Sequence, residues 1–292
     1  MSTLYPFEGK ILDLDGLSYH YLDEGRGPPV VMLHGNPSWS FYYRDLVLAL
    51  RGRYRAVAPD HIGCGRSGKP DDSHYEYTLE RRVQDLGRLI DHLGSDKVTL
   101  VVHDWGGMIG MTWATQNPER IERLVVLNTT AFPLPASKPF PYPIAVARIP
   151  GLGPMLVRGF NAFARGAVRF CVTRTRMSPE IAAGYLEPYD SWRNRIALQR
   201  FLEDIPLRRS DRAWRLVNET AGKLEELCSV PMLICWGMKD FVFDVHFLDE
   251  FVRRFPDAEV HRFHDAGHYI LEDARDDVIP LISSFLAEHP TA

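Results

Sequence analysis

Apolar residues fall into six short runs with little polar interruption: VVMLH (30–34), YRAVAPD (54–60), VTLVVH (98–103), IERLVVLN (121–128), VPMLICWG (230–237) and AEVHRF (258–263). Runs of this kind suit strands buried on both faces of a parallel sheet. Between them apolar residues return at helical spacing, first Val83, Leu86, Leu89, Ile90 and Leu93, then Met108, Met111 and Ala114. That spacing is the stripe of a helix laid against a sheet. Two earlier runs, KILDLDG and LSYHYLDEG, alternate polar with apolar and are joined by Asp15-Gly16, which predicts a β-hairpin leading into the sheet. Strand and helix thus alternate along the chain, and the pattern predicts an α/β fold with a mostly parallel, eight-stranded sheet flanked by helices.

The pattern breaks from about 131 to 215. Prolines cluster in FPLPASKPFPYP, strands stop, and helical segments rich in Arg and aromatics follow before the strand series resumes at Val230. This predicts one core, 1–130 and 216–292, interrupted by a helical cap, 131–215. The cap holds 14 Lys and Arg against 6 Asp and Glu, a surplus of 8 positive charges on a chain of net charge -4. A basic cap points to an acidic membrane surface or partner, or simply to a solvated face. The small overall charge argues against nucleic acid. Cys64, Cys171, Cys228 and Cys235 lack the spacing of a zinc site or a disulfide framework. The opening segment lacks the unbroken apolar stretch of a secretory signal, and no other run approaches a bilayer-spanning length, so the expected location is cytoplasmic.

Candidate chemistry lies at the strand ends. In Val101-Val102-His103-Asp104-Trp105-Gly106-Gly107 a strand stops among small residues and turns into a helix, placing Asp104 where a nucleophile elbow carries its nucleophile. An Asp there could also be a plain helix cap. Three other segments favour the reactive reading. His34-Gly35-Asn36-Pro37 follows the third strand, where an oxyanion loop belongs; Asp240 follows the strand after the cap; and His268, in Ala266-Gly267-His268, follows the last strand. The order Asp104, Asp240, His268 is the nucleophile, acid, base order of a hydrolase triad. Gly63-Cys64-Gly65-Arg66-Ser67-Gly68 fits the dinucleotide pattern GxGxxG, but Lys69-Pro70 follows where a helix would have to open, so we read it as a turn.

HGNPSWS, PDHIGCGRSGKP, VHDWGGMIG, LNTTAFP, WGMKDFVFD and DAGHYILED resemble the haloalkane dehalogenase family over nearly the whole chain, most of all its third subfamily. The resemblance implies the α/β-hydrolase fold with an inserted helical cap, Asp104 as covalent nucleophile, His268 as base, Asp240 as acid, and Asn36 with Trp105 as the halide-binding and oxyanion-stabilising pair. Asn128 stands where the second subfamily keeps its acid and, being uncharged, cannot serve as one. The chain is more similar still to the bacterial β-lactone decarboxylases of long-chain olefin biosynthesis, in a likeness that extends to FNAF (160–163) and DIPL (204–207) of the cap. That likeness implies decarboxylation of a cis-dialkyl β-lactone to a cis-olefin and CO2, with haloalkane hydrolysis to alcohol and halide as the alternative. It also implies assembly with other enzymes of that pathway or with further copies of the chain. Neither reaction calls for a metal or an organic cofactor. Ile149, Leu152, Met155, Leu156, Phe160 and Phe163 are candidates to line an alkyl channel, or simply to pack. Epoxide hydrolysis would need cap tyrosines, for which Tyr142, Tyr185 and Tyr189 are available, and a ligand receptor on an inactive hydrolase fold is the remaining reading.

Overall fold

The computed structural model describes residues 4–140 and 142–290. Its sheet has eight strands: β1 (Lys10–Leu14), β2 (Leu17–Glu24), β3 (Pro29–Leu33), β4 (Arg55–Pro59), β5 (Val98–Asp104), β6 (Ile121–Thr129), β7 (Met232–Gly237) and β8 (Glu259–Phe263). Their spatial order is β1-β2-β4-β3-β5-β6-β7-β8. β2 runs antiparallel to both β1 and β4, and every pairing beyond β4 is parallel. The hairpin turns at Asp15 and Gly16, both at positive φ (59° and 84°), the conformation a tight two-residue hairpin loop requires.

The helices are α1 (Arg44–Leu50), α2 (Leu79–Leu93), α3 (Trp105–Gln116), α4 (Tyr142–Ala147), α5 (Leu152–Pro154), α6 (Ala162–Phe170), α7 (Pro179–Leu186), α8 (Ile196–Glu203), α9 (Trp214–Lys223), α10 (Val245–Arg254), α11 (Ile270–Asp273) and α12 (Arg275–Glu288). Local chemistry sets their ends. The Thr78 side chain accepts from Arg81 N at the start of α2, and Gly94 closes that helix at φ 68°. β5 and almost all of α3 are buried, so the middle of the fold is apolar on every side. Between β6 and β7 the described residues form helices and turns and no strand. Segment 63–68 runs through turns, and no helix opens between it and Leu79. No helix among the described residues is long and apolar enough to cross a membrane.

Candidate active site

The strand-to-helix turn at β5 is built from strain and small neighbours. Asp104 sits at φ 51°, ψ -126°, a conformation that an L residue holds only where its surroundings fix it. Gly106 is the neighbour that allows it, because a Cβ there would run into the Leu33 carbonyl. The Thr129 hydroxyl donates to the Asp104 carbonyl and ties the turn to the end of β6. The result lifts the Asp104 carboxylate above the sheet into the loop after β3. Gly35 approaches so closely that a Cβ would collide with that carboxylate.

Asp104 Oδ1 accepts the Asn36 backbone N–H at 2.6 Å, and Oδ2 lies 3.6 Å from His268 Nε2. His268 Nδ1 donates to Asp240 Oδ2 at 2.8 Å. The structure therefore brings together Asp104, His268 and Asp240, with Asn36 and Trp105 beside them, all of them buried. Burial pushes the Asp104 carboxyl above its ordinary range, and neither His268 nor the backbone N–H groups of Asn36 and Trp105 fully offset it. Burial alone would lower His268, but the Asp240 charge and hydrogen bond, with Asp104 adding to them, leave it raised. The imidazole is thus disposed to carry a proton between two carboxylates.

The cavity over these residues is about 360 Å³. Asp104, His268, Asn36 and Trp105 form its polar floor, and its walls are mostly apolar, among them Met108, Phe132, Ile144, Phe163 and Leu202. The Trp105 indole N–H has no acceptor among the described residues, whereas those of Trp39 and Trp236 donate to the carbonyls of Gly184 and Phe243. One N–H of the Asn36 amide donates to the Leu198 carbonyl at 3.1 Å, and Asn36 is among the residues lining the cavity. Donors and no carboxylate besides Asp104 meet there, a setting in which negative charge can develop.

Five of the six cap residues considered for an alkyl channel do not line this cavity. Ile149, Leu152, Met155 and Phe160 point to solvent, Leu156 is half-buried, and only Phe163 faces inward. Their spacing marked an apolar face without saying which way it turns, and the one-turn α5 with the π-type turn at Met155–Gly159 presents it outward. The inner wall comes instead from α4, α6 and α8. None of the three tyrosines lines the cavity. Tyr142 is 73% exposed, Tyr185 OH donates to Glu272 Oε1 and Tyr189 OH to the Ser38 carbonyl. The polarising pair required for epoxide hydrolysis is therefore absent from the described lining.

Asn128 does more than its uncharged side chain suggested. Its Nδ2 donates to Asp240 Oδ2 at 2.9 Å and to the Gly237 carbonyl, and its Oδ1 accepts from Gly237 N. It braces Asp240. His103 supports the other side, donating from Nε2 to the His268 carbonyl at 2.9 Å. The signal for Asn128 was one polar residue ending an apolar strand.

The alpha/beta hydrolase fold family matches residues 28–274. The chain belongs to the α/β-hydrolase family. Within that family it is similar to a cis-3-alkyl-4-alkyloxetan-2-one decarboxylase of Shewanella oneidensis, at 53% identity over 100% of this chain and 92% of that protein. A decarboxylase of the same name from Xanthomonas campestris is 49% identical, with 98% of each chain covered. Haloalkane dehalogenase 2 of Mycobacterium bovis is 33% identical over 96% of this chain and 95% of the other. The crystal structure of a haloalkane dehalogenase from Agrobacterium tumefaciens superposes with a TM-score of 0.88 at 25% identity, covering 97% of both chains. The fold and the resemblance expected from the motifs are borne out, and this α/β-hydrolase stands among enzymes.

Proposed function

We propose that this α/β-hydrolase decarboxylates cis-3,4-dialkyl β-lactones to cis-alkenes. The observation that carries the reading is that one cavity places Asp104 beside Asn36 and Trp105 between apolar walls. The full-length relatives named as oxetanone decarboxylases support the lactone over a haloalkane.

Asp104 Oδ2, the oxygen not held by Asn36 N, attacks the saturated, alkyl-bearing ring carbon bonded to the ring oxygen, not the carbonyl carbon. The new ester bond forms as that carbon–oxygen bond breaks, and the electron pair leaves as a carboxylate stabilised by Trp105 and Asn36. In the second step the bond to the carboxylate carbon breaks and its pair becomes the alkene π bond. The ester bond to Asp104 breaks with it, so CO2 departs and the aspartate is restored. No water or proton is consumed. Inversion in the first step followed by anti departure in the second converts a cis lactone into a cis alkene. Protonated His268, held by Asp240, donates toward Asp104 Oδ2 as negative charge returns to it. The apolar walls exclude the water that would otherwise divert the ester to a β-hydroxy acid.

Haloalkane hydrolysis is the second reading, favoured by the same donor pair. There halide takes the place of the carboxylate, and His268 activates water against the ester, whose oxyanion would meet the backbone N–H groups of Asn36 and Trp105. The enzyme is given a long-chain cis-β-lactone or a long-chain bromoalkane, and alkene, CO2, β-hydroxy acid and bromide are measured. Alkene and CO2 as the dominant products support decarboxylation, whereas β-hydroxy acid as the main product sinks it. His268→Ala is expected to accumulate an ester on Asp104 visible by mass spectrometry.

Peripheral contact with an anionic lipid surface is part of the same reading. Phe170 and Phe241 line the cavity and are 60% and 61% exposed; Arg165 and Arg169, on the same helix as Phe170, make no ion pair among the described residues. Cosedimentation with anionic phospholipid vesicles, lost in molar salt, is the expected outcome.

A further inference from the structure

Arg82 is fully buried, yet it lies outside the cavity and outside every step above. It stands on α2, where its Nη1 donates to Asp204 Oδ2 at 3.3 Å. Its guanidinium carbon lies 3.7 Å above the centroid of the Phe201 ring and 5.7 Å from the Trp105 ring. Nε and Nη2 find no acceptor among the described residues. A buried guanidinium with two unmet donors is costly, and replacing such an ion pair by apolar groups is often neutral or stabilising. Stability is therefore a weak reason for this residue.

Its partners give a better one. Asp204 caps the C-terminal end of α8 and also accepts from Leu79 N, the first residue of α2, at 2.6 Å. The pair clamps α8 to the core helix. α8 in turn touches both anion donors of the site: its Leu198 carbonyl holds the Asn36 amide at 3.1 Å, and its Phe201 packs on Trp105 with ring centroids 5.2 Å apart. A rotation of α8 would move the Asn36 amide and the Trp105 indole together. The guanidinium is paired with the Asp204 carboxylate, so its effect on those donors runs through the placement of α8 and the Phe201 ring rather than through a net charge.

We propose that Arg82 is a positioning residue for the anion-binding pair, acting through Phe201 and α8 to hold Asn36 and Trp105 in place and to favour the carboxylate that leaves the lactone carbon. This rests on the proposed lactone reaction for its effect on turnover, but not for its effect on anion binding.

The test uses the whole enzyme and two probes, a long-chain cis-β-lactone for turnover and bromide for the donors, titrated by quenching of tryptophan fluorescence with Trp105→Phe as control. Arg82→Met is expected to lower kcat at least tenfold with KM within about threefold, and to weaken bromide about tenfold, with Arg82→Lys recovering part of both. A folded Arg82→Met enzyme whose melting temperature falls while kcat and bromide affinity stay unchanged would reduce Arg82 to a structural residue and overturn the proposal. Should Arg82→Met not fold, Phe201→Leu keeps the Arg82–Asp204 pair but cuts its contact with Trp105. Weaker bromide binding in Phe201→Leu supports the proposal, and unchanged binding overturns it. If the wild type turns over no lactone, the functional reading fails while the bromide arm still decides the role of Arg82.

Discussion

Two strand ends on either side of β3 each bury an aspartate, and the two carboxyls are pushed in opposite directions. Asp60, after β4, accepts from His20 Nδ1 at 2.8 Å, Ser40 N at 2.7 Å and Arg66 N at 2.8 Å. Burial would raise it, but the hydrogen bond and charge of His20, helped by His34 and Arg66 N, hold it down to about 2. Asp104, at the end of β5, is also buried but is met by fewer donors, and burial wins and raises it. The lesson is that burial does not decide the state of a carboxylate; the supply of donors does. Asp60 is satisfied and structural. Asp104 is left short of hydrogen bonds, which suits the nucleophilic role proposed for it.

The largest effect expected from that difference is on Asp104→Asn. Turnover should fall by at least ~10³-fold, because an amide cannot form the ester. The fold should gain at neutral pH. A carboxyl whose pKa is higher in the folded than in the unfolded chain destabilises the folded state once pH passes the unfolded value, and an uncharged side chain removes that penalty. A dead enzyme with a higher melting temperature at pH 7, and no gain near pH 3, is the predicted signature. A lower melting temperature at pH 7 would break the contrast.

Asp60→Asn should do the reverse. A carboxyl lowered from 3.8 to about 2 contributes about 2 kcal/mol that is present above pH 4 and is lost as pH falls toward 2. Chemical denaturation at pH 7 should show that loss, shrinking progressively below pH 4, with kcat/KM per folded molecule changed little. Activity lost in proportion to Asp104→Asn would mean that Asp60 belongs to the chemistry.

The contrast also explains what could be read from the sequence. Asp104 was legible because its strained turn demands small residues alongside, and Gly106 and Gly107 stand next to it in the chain. Asp240 and His268 were legible by strand order. The role of Asp60 was hidden, since its donors come from positions 20, 40 and 66, which only the sheet and its loops bring together. Arg66 even sits in the segment that imitates a dinucleotide motif. Cap residues were harder still. Ile149 and Phe160 are apolar at helical spacing, but spacing has no inside or outside, and short helices wrapped over a cavity can turn either face to it.

Asn128 offers the finest test, because it meters donors to a third buried aspartate. Asp240 accepts from His268 Nδ1 and Asn128 Nδ2 on one oxygen and from Val242 N, at 2.7 Å, on the other. Asn128→Ala removes one of those three and leaves the His268 contact free to tighten or to drift. A net loss of about 1 kcal/mol is the usual worth of one such bond, so kcat should drop about fivefold with KM unchanged. Asn128→Asp should cost more, because a second carboxylate against Asp240 repels it and exchanges a donor for an acceptor. If Asn128→Asp instead matched the wild type while Asp240→Asn lost most activity only in the Asn128 background, the acid would have moved to position 128. The two strand ends would then be interchangeable as sources of the charge that orients His268, and donor supply would matter less than the presence of one carboxylate within reach of Nδ1.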